Sequence, residues 1–474
     1  MLSMDNVTAW GVRGFASIAK LPKFETWKKG ETLKILLVGY NGKRNTGADV
    51  RVCEMVKQYY RILGEDKIQI SVMTLDTEMT EVYFQSPTEQ IQFSTIFFKD
   101  LLDACNTHHM AVLCEGSTLK SKFANALTLF FCEAAGIMKK QGKPCFAYGS
   151  EAGDMDPFVK KLAADLCSDT YFIARTEESL KIVKEMGLKG HMGTDTAWTF
   201  TPAPPEWAEK ELKEKTGWDG KKPVLGVAII NPFWWPVSPS LTRLAKATFE
   251  KDWDYHMEKY YFFSDSPERR AQFDRYVKAL ADAANSFCET HDAHVVAIGM
   301  EALDLDACEK FCAQIKTPTG YFSSKFYDGF QMGSVLHKLS MLVTSRYHAR
   351  VLSSTGGVPS IAVSMDERLY NIFNECGHIE DYYLKTDDPQ LGKKLIETQQ
   401  KCWDNREQVA REIKCSIPGY LETMAEMGKF FRGWVAEQLP GIELGPEPED
   451  WLGYLPDLNE GLKAILADKS KKAV

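Results

Sequence analysis

The feature that most constrains this chain is an alternation, repeated twice along its length, of short apolar runs and stretches with helical apolar spacing. The run at 33–39 (LKILLVG) is apolar enough to be buried on both faces and ends in glycine, as suits a strand inside a parallel sheet. After the loop 40–47, Val52, Met55, Val56, Tyr59, Tyr60 and Leu63 recur at helical spacing, and Gly64 can close that helix. Strand-like runs at 68–75, 110–114, 144–148 and 171–174 follow, with helical patterns at 122–140 and 156–166. That rhythm predicts a doubly wound parallel α/β sheet.

At 474 residues the chain is too long for one ordinary domain. The break comes at Thr201-Pro-Ala-Pro-Pro205, which extends neither a sheet nor a helix. A second alternating unit opens at 224–230, with strands expected at 295–298, 341–344, 360–363 and 382–384. Its helices are expected at 304–315, 331–339, 349–355 and 367–376. The division is therefore an N-terminal extension (1–32), a first Rossmann-like domain (33–205), a second (206–400) and C-terminal helices (401–474). Long helices at 393–414 and 420–438 suit an element that crosses back to brace the first domain. Two such sheets face one another across a cleft, and ligands bind at the carboxyl ends of the strands. An insert at 232–290 breaks the rhythm with Phe233, Trp234, Trp235, Trp253, Tyr255 and the aromatic run 260–263. It reads either as a helical cap with its own small core, or as a lid whose aromatic faces, among them Trp234 and Trp235, stack on sugar rings.

The strongest chemical signal is Ser345-Arg346-Tyr347-His348, followed by a helical stretch and the turn Gly356-Gly357-Val358-Pro359. An apolar strand delivers Ser345, Arg346 and His348 to its carboxyl end, where the free N–H groups of the next helix also point. Arginine offers a planar fork to carboxylate or phosphate, and histidine is readily poised for proton transfer near neutral pH. Alternation along the strand puts Arg346 and His348 on the same side. Gly116-Ser117-Thr118 is another polar turn after a strand, with Glu115 beside it suited to an acceptor hydroxyl. Thr176 reads as a helix cap with Glu177 and Glu178 in the first turn, so these acids must point away if Arg175 binds an anion. The loop 39–47 lacks both dinucleotide and P-loop glycine spacing. Glu367 and Glu375, eight apart, read as a chance spacing on a helix face.

Ser-Arg-Tyr-His, one helix, Gly-Gly-Val-Pro, an apolar strand and then Asp366-Glu-Arg with a helix ending at Gly377 closely resemble the polysaccharide pyruvyl transferase family. Asn45-Thr-Gly-Ala-Asp49 resembles that family's Asn-x-Gly-Asp-Glu loop, with Ala48 in place of its Asp and Asp49 in place of its Glu. Arg175-Thr-Glu-Glu-Ser179 and then Thr194-Asp195 resemble its Arg-Asp-x-x-Ser helix and following aspartate, with Thr176 in place of the Asp. The resemblance runs from Lys34 to Leu384, is strongest over 341–377, and has no counterpart for the aromatic insert. It implies a GT-B-like fold and a transferase of polysaccharide biosynthesis. The reaction implied moves a pyruvyl group from phosphoenolpyruvate to two hydroxyls of a sugar or glycan precursor, leaving a ketal and phosphate. Phosphoenolpyruvate is then a co-substrate, and neither cofactor nor metal is called for. On this reading the first domain takes the acceptor and the second the donor. His348 and Arg346 are the catalytic candidates, and Arg346, Arg175, Ser345 and Gly357 the donor-binding ones. Asn45, Asp49, Ser117, Asp195, Trp234 and Trp235 line the acceptor side of the cleft. Two alternatives stay open: a GT-B glycosyltransferase using a nucleotide sugar, and a non-catalytic relative that binds a phosphorylated sugar.

A net charge of −8 and a pI near 5.7, with no basic stripe, exclude bulk nucleic-acid binding. None of the 12 cysteines forms a Cys-x-x-Cys pair or a zinc-spaced cluster, so they read as small buried hydrophobes and reduced thiols. Residues 1–20 hold no continuous apolar core, and no stretch approaches the ~20 apolar residues that cross a bilayer. The expectation is a cytoplasmic protein without a transmembrane segment, at most peripheral to a membrane.

Overall fold

The computed structural model describes residues 4–251, 253 and 255–468. The other positions of the expected extension, insert and tail lie outside the described residues. Leu33–Asn41 (β1), Ile68–Thr74 (β2), Glu89–Gln92 (β3), Met110–Leu113 (β4), Cys145–Ser150 (β5), Tyr171–Ala174 (β6) and Lys189–Met192 (β7) form one sheet, ordered β3-β2-β1-β4-β5-β6-β7. Every neighbouring pair is parallel. The inner strand β4 is buried at every residue, whereas β3 (EQIQ) and β7 (KGHM) are exposed at both ends and edge the sheet. An apolar-run reading finds the first kind and passes over the second, because an edge strand is not covered on all sides.

The second domain contributes β8 (Val224–Ala228), the insert strands β9 (Ser238–Pro239), β10 (His256–Glu258) and β11 (Tyr261–Phe262), then β12 (His294–Gly299), β13 (Thr319–Ser323), β14 (Met341–Thr344), β15 (Ser360–Ser364) and β16 (Tyr383–Lys385). Its main sheet, again all parallel, is ordered β13-β12-β8-β14-β15-β16. The strand order of each sheet reverses beside its first strand, between β1 and β4 and between β8 and β14. Crevices at the carboxyl ends of such strands are where open parallel sheets take ligands. The chain changes domain at the proline run: the helix Pro205–Thr216 packs on the helix Gly329–Lys338, with Glu209 paired to Lys338 at 2.5 Å.

As a separate unit the insert is shorter than 232–290 and not wholly helical. Pro267–His291 is a single helix packed on the second-domain helices Leu391–Asp404 and Leu305–Cys312, so the inserted part ends before it. What remains is the helix Leu241–Glu250 and the small sheet β10-β11-β9 around Val237, Tyr261 and Phe263. It lies across the first domain. The Val237 N–H donates to the Phe123 carbonyl (2.8 Å), and Glu258 meets Lys43 at 2.6 Å and Thr95 at 2.9 Å.

The helix Arg406–Gln438 has 33 residues, which at 1.5 Å per residue is about 50 Å. It starts on the second domain, where Glu412 lies 2.9 Å from His378 Nε2. It ends on the first, where Phe431 stacks on Tyr59 at 4.5 Å and Trp434 meets Phe146 edge to face at 4.8 Å. The brace across the two domains is present. Among the described residues, no helix is long and apolar enough to cross a membrane.

Candidate functional site

The two reversal points face each other, and a pocket of about 110 Å³ lies between them. The first domain supplies Asn45, Glu115 and Ser117 from the loops after β1 and β4; the second supplies Glu301, Arg346 and Arg368 from the ends of β12, β14 and β15. Trp235 of the insert closes one side, edge to face with Phe123 at 5.2 Å. Asn45 is placed by capping the helix Thr46–Leu63, its side-chain oxygen accepting from the Ala48 N–H at 3.2 Å. Thr46 N–H donates across the cleft to the Met300 carbonyl (2.9 Å), and the Ser324 hydroxyl to the Arg44 carbonyl (2.6 Å).

Arg346 Nε donates to Asp304 Oδ2 at 2.9 Å, while Nη2 pairs with Asp304 Oδ1 and with Glu301 at 3.1 Å. Burial pushes both the Glu301 and Asp304 carboxyls up, and Arg346 only partly opposes it. One guanidinium thus serves two buried acids, which favours a proton on one of them. Arg368 is held by Asp366 and lies over the Phe123 ring at 5.1 Å. Burial alone would raise the Asp366 carboxyl, but Arg368 and Lys120 hold it well below the usual range.

Behind the pocket is a second charged cluster. Asp195, which follows β7, receives Arg51 Nε at 3.0 Å and Arg175 Nη1, and lies 3.5 Å from His348 Nε2. Burial would raise this carboxyl; Arg51, His348 and Arg175 outweigh it and hold it far below its usual value. Arg51 also donates to the carbonyls of Cys114 (2.9 Å) and Gly149 (2.6 Å), so one side chain ties two strand ends to Asp195. Arg175 Nε donates to Glu151 at 2.8 Å, and its guanidinium lies over the Tyr347 ring of the other domain at 4.6 Å. Glu151 in turn meets Lys120 at 2.6 Å, which reaches Glu367 across the cleft at 2.7 Å. Arg175 Nη2 is buried without a partner, and a Cβ on Gly116 would lie 2.6 Å from it. The turn Glu115–Ser117 therefore separates the unpartnered donor from the pocket. Burial pulls the His348 imidazole down, with Asp195 opposing.

Of the residues singled out from sequence, Asn45, Ser117, Trp235 and Arg346 line the pocket, and His348, Arg175 and Asp195 form the cluster behind it. The expected shared side of Arg346 and His348 is not found. The helix Tyr347–Thr355 begins before His348, so helical rotation sends His348 to the first domain while Arg346 stays with its own domain's acids. Ser345 is used structurally: its hydroxyl bonds Tyr276 Oη at 2.7 Å and donates to the Val363 carbonyl. Gly357 lies at the far end of that helix, against Lys414, about 13 Å along the helix axis from the strand end. Its φ of 72° explains the glycine there. Asp49 is buried beneath the loop, accepting from Asn41 Nδ2 (3.2 Å) and Gly42 N–H (3.3 Å), and burial pushes it up to about 7. Trp234 faces away from the pocket, stacked on Phe263 at 4.3 Å. Glu177 and Glu178 are exposed, away from the Arg175 guanidinium. Glu367 pairs with Lys120 and with Lys122 at 3.0 Å, whereas Glu375 accepts from the Tyr420 hydroxyl at 3.0 Å, so the two glutamates take separate partners.

Arg51, Lys120, Glu151, Glu301, Asp304 and Arg368 were not singled out. A signal existed for some of them. Arg51 shares a helix face with Met55 and Tyr59, both fully buried, and Glu151 and Glu301 directly follow or nearly follow strands β5 and β12. Among the described residues, no group of three or more His, Cys, Asp and Glu is arranged to hold a metal ion.

The His348 ring sits so close to Gly47 that a Cβ there would overlap Nδ1. Gly47→Ala is expected to destabilise the chain by about 1–3 kcal/mol through overpacking. Gly433→Ala, at an open helical position, is expected to stabilise by up to about 1 kcal/mol. Urea unfolding compares them, and a Gly47→Ala protein as stable as the parent would contradict the tight His348 contact.

A family profile described as polysaccharide pyruvyl transferase matches residues 45–367. No curated protein matches the chain in sequence. Among solved structures, the chain is similar to sucrose-phosphate synthase from Thermosynechococcus elongatus, with a TM-score of 0.52 and 11% identity over 85% of this chain and 100% of that one. It is similar to Anabaena HepE in complex with UDP-glucose, with a TM-score of 0.51 and 12% identity over 85% and 100%. A UDP-N-acetylglucosamine 2-epimerase gives a TM-score of 0.51 and 7% identity over 87% and 100%. These likenesses show the fold, two facing Rossmann-like domains of GT-B type. The profile match covers more than half of the chain and includes both charged clusters except Arg368, one residue beyond it, so the chain belongs to the polysaccharide pyruvyl transferase family, a family of transferase enzymes.

Proposed function

We propose that the chain transfers the pyruvyl group of phosphoenolpyruvate to two hydroxyls of a sugar or glycan precursor. The observation that carries this reading is the pair of guanidinium groups, Arg346 and Arg368, lining one pocket. Phosphoenolpyruvate presents a carboxylate and a phosphate, and each suits a planar fork. Glu115, Ser117 and Asn45 face them and offer the hydrogen-bonding partners a sugar needs. Protonation of the enol carbon C3 makes it a methyl group and leaves a cationic C2. One sugar hydroxyl bonds to C2 and gives up its proton, and the bond from C2 to the phosphate oxygen breaks with its electron pair on phosphate. The second hydroxyl then closes the ketal. The two hydroxyl protons balance those gained by the methyl group and by phosphate. His348, close to Asp195 in the cluster behind the pocket, is the candidate for moving protons, and the pocket-lining Arg346 and Arg368 for stabilising the departing phosphate.

Phosphate release from phosphoenolpyruvate is expected only with a sugar acceptor present. It should fall by about a hundredfold in Arg346→Ala and in His348→Ala. A continuous phosphate assay over a library of sugars measures both. Full turnover in both variants would remove this site from the reaction. Thermal stabilisation by a nucleoside diphosphate but not by phosphoenolpyruvate would replace the reading with nucleotide-sugar transfer.

A further inference from the structure

Consecutive tryptophans of the insert face opposite ways. Trp235 lines the cleft pocket, whereas Trp234 lines a cavity of about 360 Å³ on the other side, together with Phe233, Tyr255 and Arg269. A neighbouring cavity of about 610 Å³ shares Phe233 and Arg269 and adds Tyr383, Lys385 and Asp387 from the end of the second sheet. The two adjoin around Phe233 and make one groove along the start of the helix Pro267–His291.

The groove mixes acids with bases: Asp274, Glu268 and Asp387 line it beside Lys385, and three further cations are held by neighbouring groups. Arg270 forks onto Asp265 at 2.9 and 2.7 Å, Lys310 lies 3.4 Å from Asp306, and Arg269 Nη1 donates to the carbonyls of Phe233 and Trp235. Acids and bases interspersed along one groove offer an anion no concentrated positive field, whereas a neutral polyol can use both as hydrogen-bond partners. The aromatic rings supply the apolar faces. The indole Nε1 of Trp234 is buried without any acceptor, an orphaned donor that costs free energy until an oxygen reaches it. Tyr255, with its φ of 58°, keeps a backbone conformation that bulky residues seldom adopt while its ring covers Arg270 at 4.6 Å.

We infer that this groove is a saccharide subsite, which holds uncharged sugar rings of an extended acceptor just outside the cleft. The inference rests on the sugar-acceptor reading above and deepens it: the preferred acceptor is an oligosaccharide or polymer rather than a single sugar. The segment carrying Trp234 and Trp235 then touches the same glycan on both of its sides.

The test uses neutral gluco-, manno-, galacto- and N-acetylglucosamine tetrasaccharides and the matching monosaccharides, titrated by ligand-observed NMR against the full chain. One tetrasaccharide is expected to bind at least about tenfold more tightly than its monosaccharide, with Trp234→Ala abolishing the difference. Asp274→Ala, at an exposed position on the groove wall, should weaken the binding too and serves if the tryptophan variant does not fold. Arg346→Ala, in the cleft pocket, should leave the tetrasaccharide preference in place. Absence of any such preference, its survival in both groove variants, or displacement of the tetrasaccharide by UDP overturns the inference. Its failure is distinct from failure of the pyruvyl reading. A chain that releases phosphate with monosaccharides yet shows no tetrasaccharide preference lacks the subsite only. A chain that binds tetrasaccharide through Trp234 but never releases phosphate lacks the chemistry only.

Discussion

Replacing Asp195 with alanine is expected to destabilise the folded chain by about 3–5 kcal/mol, the scale for leaving buried cations without their counter-ion. The residue is fully buried and answers Arg51 and Arg175, which have no water to turn to. Asp195→Asn keeps the shape but not the charge, so it should recover only part of the loss. The pH dependence follows from the depressed carboxyl. A group with a folded pKa below its unfolded value stabilises above the unfolded value and loses that contribution as pH falls through the folded one. The unfolded value is near 3.8. The gap between parent and Asp195→Asn should therefore be full at neutral pH and narrow in acid below that value. Urea midpoints across that range measure it, and equal midpoints at neutral pH would mean that the cluster adds nothing to stability.

The opposite sign is expected at Glu133. It is fully buried in the helix Asn125–Gln141 with both carboxyl oxygens unpartnered, and burial pushes its pKa up to about 9. Here the stabilising contribution is full below the unfolded value, near 4.5, and is lost as pH rises through about 9. At neutral pH folding must already protonate this acid, at a cost of about 3 kcal/mol. Glu133→Met removes that cost and fills the space with an apolar side chain of similar length. Its melting temperature should exceed the parent's at neutral pH, and the advantage should widen toward alkaline pH. Parallel curves for the two proteins would show that the carboxyl is not held protonated.

Much of the fold was legible because burial is written locally. The strands β1, β2, β4, β5, β6, β8, β12, β14 and β15 lie at apolar runs, and the proline run marks the change of domain. The edge strands β3, β7 and β13 carry too few apolar residues to stand out. The helix Pro267–His291 was hidden behind the aromatic cluster, although its cap Ser266 and the buried stripe Phe273, Tyr276, Val277 and Leu280 follow the helical rule. For the site, reading the residue after each strand found Arg175, Arg346 and Ser117. It misplaced Gly357 and the side that His348 faces, because both lie within or beyond a helix whose start and length the strand pattern does not define.

Ser345-Arg346-Tyr347-His348 and the strand before it were determined by sequence alone as a polar strand end of an α/β domain. Which partners those side chains take was decided by tertiary structure. Arg346 stays with Asp304 and Glu301 of its own domain, while His348, two residues on, crosses to Asp195 and Gly47 of the other. The reason is physical. Alternation and helical spacing record whether a position meets water, which depends on near neighbours in the chain. Ion pairing depends on distances of a few ångströms between strand ends far apart in sequence. Only the order of the strands and the approach of the two domains bring those ends together.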